Sequence, residues 1–283
     1  MKLQPDIDKF FDPDVGPGSG LHIVLRHGDD EAAEQWYMER RIAYRDRHFD
    51  KPICVPRDRV TFVTDLTSVP LLFTWLVPRT GNHLAAALVH DALTPPFSVV
   101  DKPDWDGPDK VTQLQADRVF RDAMGDLGTP LLRRWLVWSA VSIPTARLVN
   151  KVRGHLAYAS IAAIVVLGWF ATLDLFDQGK WLPWMGDRPW TRELLFGGLM
   201  AIAIPVVLAL LWPKGLRTAG LVVGIAVAAL LHVTVAVAAI SAAYQLLEHG
   251  AHVWDPPRRT MKLGLTLLAI GVIVLTIWMC KRY

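Results

Sequence analysis

Five side chains in the first half of the chain have the types and spacing for proton-transfer chemistry: Asp65, Ser68, His90, Asp91 and Asp117. An imidazole changes charge near neutral pH and can carry a proton; carboxylates can orient it or bind a divalent metal; a hydroxyl can donate or attack. Asp65 and Ser68 lie in one run, Thr64-Asp65-Leu66-Thr67-Ser68-Val69-Pro70, and two more of the five are adjacent in Val89-His90-Asp91. The competing account is structural. In it, Asp65 and Ser68 cap a turn before Pro70, which drives Val69 toward extended backbone, and His90 hydrogen-bonds Asp117 inside a core.

Two helices must position these groups. The run from Thr80 to Asp91 predicts a helix beginning at His83 with Asn82 as its N-cap. His83, Ala87, His90 and Asp91 then share a face, while Leu84 and Leu88 point elsewhere. Residues 111–127 predict a second helix whose apolar stripe is Ala116, Phe120, Ala123, Met124 and Leu127. Asp117 falls on that stripe, and a buried carboxylate needs a partner. Arg121, four residues on, is the ordinary solution.

The remainder of this half reads more simply. Residues 1–20 are rich in Pro, Gly and Asp and predict an irregular lead-in to a domain of residues 21–150. Residues 21–25 and 60–64 are short β-type runs expected to pair, and the charged stretch 29–47 favours helix. Residues 131–141 are apolar and basic with Trp135 and Trp138. They are too short to span a bilayer and fit either the membrane interface or the domain core.

From residue 151 the composition changes. Long apolar runs at 156–176, 194–212, 221–247 and 263–280 each suffice to cross the hydrocarbon core of a bilayer, which needs about 20 helical residues. The expected fold is therefore mainly α: a small α-rich α+β cytoplasmic domain followed by a four-helix transmembrane domain over 151–283. Trp169, Trp181, Trp184, Trp190, Trp212 and Trp278 lie near the ends of the runs, where amphipathic rings favour headgroups. Pro205 predicts a kink, Gly220 and Gly224 a close helix contact, and His232 a polar group facing protein or water. Lys and Arg divide almost evenly between the two sides of the spans, so charge gives no orientation. No apolar leader follows Lys2, which predicts an inner-membrane protein with both termini cytoplasmic.

These features exclude several classes. The net charge is only +3 across 283 residues, so no nucleic-acid partner is expected. Two cysteines, Cys54 and Cys280, cannot make a disulfide framework or a cysteine zinc site. There is no Gly-rich phosphate loop. The segment 101–109, although acidic, lacks the spacing and closing Glu of an EF-hand.

The run 64–70, Val89-His90-Asp91 and Ala116-Asp117-Arg118-Val119-Phe120 occur in an order that resembles an uncharacterised family of phages and bacteria, domain of unknown function 1353, over about residues 50–150. Where that family continues with aromatic residues after its His-Asp pair, this chain has Ala92-Leu93-Thr94-Pro95-Pro96 and an acidic loop. The resemblance implies no particular reaction. The residues suggest two: a membrane-anchored hydrolase or transferase acting on a lipid or other phosphate-containing substrate, or a non-enzymatic effector. In the second, the soluble domain senses or oligomerises, as a homo-oligomer for example, and the spans perturb membrane lipids. A divalent metal is a candidate cofactor, because the order His48, His90-Asp91, Asp117 is similar to that of the HD phosphohydrolases.

Overall fold

The computed structural model describes residues 7–28, 35–66, 77–78, 80–94, 104–175 and 189–253. The chain divides into two units, Met1–His232 and Val233–Tyr283.

In the first unit the strands are short. β1 (Phe10–Phe11), β4 (Ile42–Tyr44) and β5 (Ile53–Val55) form one antiparallel sheet in the order β1-β4-β5, with Phe10 opposite Tyr44 and Ile42 opposite Val55. β2 (Leu25–His27), β3 (Trp36–Met38) and β6 (Val63–Thr64) form another, in the order β2-β3-β6. The lead-in thus contributes a strand, because Phe10 and Phe11 bury their rings. The expected helix within 29–47 is not found at residues 35–47. Trp36-Tyr37-Met38 and Ile42-Ala43-Tyr44 are aromatic and apolar triplets that pair as strands, and the charges of Glu39, Arg40 and Arg41 fall in the turn between them. The β-type runs near 25 and 63 do share a sheet, with β3 inserted between them.

Helix α1 (Leu84–Leu93) packs on β4, β5 and α2 (Gln113–Asp126). Its expected division into a polar and an apolar face does not hold. Ala85 to His90, Ala92 and Leu93 are all buried, because the run Ala85-Ala86-Ala87 is slim enough for neighbours to close on every side. Its N-cap is His83, one residue after the expected Asn82, and no side chain caps it.

α2 follows its predicted stripe and is bounded by strong local signals. Thr112 and Gln115 form a reciprocal capping box. At the other end Gly128 takes φ +73°, and the Gly128 and Thr129 N–H groups donate to the carbonyls of Gly125 and Met124. This is a Schellman stop, a conformation that favours glycine.

α3 (Leu131–Val149) packs against α2, and α4 (Lys151–Leu175) packs against α3. The apolar, basic run 131–141 is the first half of α3. Val137 and Trp138 are buried in the core, whereas Leu131 and Leu132 are exposed. The hydroxyls of Ser139, Ser142 and Thr145 are satisfied within α3 by the carbonyls of Trp135, Trp138 and Val141. A Cβ at Gly154 would meet the backbone of Arg147, so glycine is what lets α3 and α4 approach.

Three of the described helices are long and apolar enough to cross a membrane: Lys151–Asp174, Trp190–Leu211 and Lys214–Leu231. They leave large apolar side chains such as Leu195, Leu199 and Val207 exposed. α5 (Trp190–Leu208) carries Pro205 one turn before its end and tightens into a 3-10 turn at Ala209–Leu211. α6 (Arg217–Val253) opens with Gly220 facing the ring of Trp212 and Gly224 facing Pro205 and Ile164, the close contact expected of the small-residue pair. Trp212, expected at a headgroup boundary, is instead 1% exposed, and its Nε1 donates to Ser160 Oγ at 3.1 Å. Trp169 and Trp190 are exposed, while Trp181, Trp184, Trp278 and the run 263–280 lie outside the described residues. In the second unit the described residues are helix as far as Val253.

Candidate functional site

α1 and α2 bring His90 and Asp117 together. His90 Nε2 lies 3.0 Å from Asp117 Oδ1, and the imidazole stacks on Phe120, one turn along α2, with ring centroids 4.8 Å apart. His90 is 8% exposed and Asp117 1%. Arg121 does not take the role expected of it. Its guanidinium turns to Asp122 and lies over Trp135 and Trp138, because the inward face of α2 is occupied by His90. An ionised carboxylate only accepts, so opposite an ionised Asp117 the shared hydrogen is on His90 Nε2. The second oxygen of Asp117 is buried and has no partner among the described residues.

Asp91 turns to a different neighbour. Thr64 Oγ1 donates to Asp91 Oδ2 at 2.6 Å and accepts from the Leu66 N–H at 2.9 Å. One hydroxyl therefore ties the Thr64–Leu66 backbone to the His-Asp pair, a role that sequence reasoning did not assign to Thr64. Leu66 has φ +71°, a left-handed conformation that a non-glycine side chain adopts at a cost of about 1–2 kcal/mol. The bond to Thr64 holds it there. Asp65 is exposed, and Ser68 lies outside the described residues.

Burial pushes the Asp91 carboxyl up to about 6; the charge of Asp65 adds to this, while the Thr64 hydrogen bond and His90 oppose it. A carboxyl that keeps its proton longer in the folded chain than in the unfolded one loses stability as pH rises between those two pKa values. Stability is thus expected to fall between about pH 4 and pH 6 and stay lower above. Asp91→Asn, which still accepts from Thr64, should flatten this slope and raise the melting temperature at pH 7. Thermal unfolding at pH 4.5 and pH 7 checks it, and an unchanged slope refutes it.

The remaining candidates are dispersed. His83 is buried at the start of α1, where burial lowers its pKa against the Pro78 carbonyl. His48, placed in sequence order before the His-Asp pair, is gathered with Asp46 and Asp122. Among the described residues this is the grouping compact enough for a metal, and it excludes His90. The HD-like ligand order is not assembled: the backbone N–H of His48 binds Asp46 Oδ1, so the residue belongs to the loop after β4.

Residues 36–141 match the family model described as Protein of unknown function (DUF1353). This stretch, the DUF1353 region, is similar to that family. No curated protein and no solved structure matches the chain. The DUF1353 match starts at β3, earlier than the 50 expected from the motifs, and ends within α3. It contains Thr64, Asp65, His90, Asp91 and Asp117, so the residues that meet at α1 and α2 all belong to it. β1 and β2 lie before it and the apolar helices after it. The DUF1353 region is nonetheless packed directly to α4 through α3, without a long linker.

Proposed function

We propose that the chain is a membrane-anchored hydrolase or transferase acting on a lipid or other phosphate-containing substrate near the membrane surface, with its DUF1353 region on the cytoplasmic side. The observation that supports this most is the 3.0 Å pairing of a buried imidazole with a buried carboxylate at the contact of two helices. Asp117 orients the ring through that hydrogen bond. His90 takes a proton from the attacking water or hydroxyl as the new bond to phosphorus or carbon forms, and returns it to the oxygen that leaves. Asp91, which Thr64 anchors one residue away, and Asp65 and Ser68 in the adjoining run complete the set. The packing of α3 on α4 ties this site to helices of membrane-crossing length.

Full chain reconstituted into phospholipid vesicles tests the reading. Phosphate-ester release from vesicle lipids and from added soluble phosphate esters is followed alongside retention of an encapsulated dye. Turnover that His90→Ala abolishes, with dye retained, supports the enzyme. Dye leakage without turnover, or full turnover in His90→Ala, overturns it in favour of a bilayer effector.

A further inference from the structure

A cavity of about 300 Å³ opens between the end of α2, the first turns of α3 and strand β4. Four cationic side chains, Lys9, Arg47, Arg121 and Arg134, line it against two carboxylates, Asp122 and Asp126. Every carboxylate oxygen there already has a donor. Asp126 accepts from Lys9 Nζ at 3.0 Å and from the Tyr44 hydroxyl at 2.7 Å. Asp122 accepts from Arg121 through one oxygen and from Arg47, at 3.0 Å, through the other. The acids therefore hold Lys9, Arg47 and Arg121 in place, and the lining residues carry two more cations than carboxylates.

Arg134 carries part of that excess. It makes no ion pair among the described residues, and its Nε is buried without an acceptor. The guanidinium's charge is thus uncompensated at the lining, and an anion from outside the chain would balance it. Its seat is shaped for it: a Cβ at Gly125 would strike Arg134 Nη1. Arg121 is equally constrained, with its plane against Trp135 and Trp138 and one edge on Asp122. Rigid guanidinium forks converging on one space suit the several oxygens of a tetrahedral anion.

The geometry points to a phosphoryl-binding site at this cavity, taking a phosphomonoester group, whose charge of about −2 at neutral pH balances the lining. The volume admits the phosphoryl group and a small substituent. The same chemistry is offered by a soluble phosphomonoester and by a lipid headgroup, and the exposed Leu131 and Leu132 adjoin Arg134 on the first turn of α3. His90, Asp91 and Asp117 do not line this cavity, so the proposal does not rest on their catalytic reading.

The test uses the full chain. In detergent, inorganic phosphate and glycerol phosphate are titrated by calorimetry; in phosphatidylcholine vesicles with and without phosphatidic acid, ligand-dependent thermal stabilisation is measured. Saturation in the first arm identifies a soluble ligand, and stabilisation by phosphatidic acid alone identifies a headgroup. Arg134→Gln should weaken either response about tenfold or more, the loss of a charge-assisted hydrogen bond. Gly125→Ala, which keeps the helix and displaces the guanidinium, should do the same, and His90→Ala should bind as the parent. No saturable response in either arm, or parental affinity in both Arg134→Gln and Gly125→Ala, overturns the site.

Discussion

Asp117→Asn is expected to keep its fold and lose turnover by about 100-fold or more, the usual worth of a positioned proton carrier. The substitution preserves shape and leaves an amide 3.0 Å from His90 Nε2, but removes the carboxylate charge from beside the ring. The loss should appear in kcat, because the ring is no longer held by a charged acceptor when it takes and returns the proton. A pair that only holds α1 against α2 would give the opposite pattern: near-parental turnover and a lowered melting temperature. Asp117→Ala is the harsher variant, since it leaves the ring of His90 without its acceptor and opens space beside Phe120. The turnover of the two variants, measured with their melting curves, decides between positioning and packing.

Arg118→Met should produce the largest loss of stability in the DUF1353 region, about 3 kcal/mol or more, as when one partner of a buried ion pair is removed. Asp46 is fully enclosed after β4, and its Oδ1 accepts from Arg118 Nη2 at 3.1 Å and from the His48 N–H at 2.9 Å. Methionine fills much of the arginine volume and retains contact with Phe49, over which the guanidinium lies, but leaves the carboxylate without its cation. The midpoint of chemical unfolding reads the effect. Adding Asp46→Asn should restore part of the loss, because the buried charge is then gone from both partners. If Arg118→Met unfolds at the parental midpoint, the pair contributes nothing to the fold.

The two arginines on successive turns of α2 illustrate what was legible and what was not. The apolar stripe of α2, and the burial of Asp117 on it, could be read from spacing, because a helix repeats every 3.6 residues whatever it packs against. The partner of Asp117 could not. Arg121 and His90 are both compatible with it chemically, and only the approach of α1 selects His90. In the same way, the strands at 36–38 and 42–44 were masked by neighbouring charges, since a window of composition cannot tell a turn's charges from a helix's. Thr64 lay within the motif but had no visible role until Asp91 was seen to face it.

By itself the sequence determined the division into a charged first half and an apolar second half, the α2 helix with its stops, the small-residue contact at Gly220 and Gly224, and the DUF1353 motifs. Those are properties of local periodicity and composition. Tertiary structure alone decided that His90 meets Asp117 while Asp91 meets Thr64, that His48 joins Asp46 and Asp122 instead, and that four cations gather around one cavity. Such meetings depend on contacts between residues tens of positions apart, which no repeat along the chain encodes.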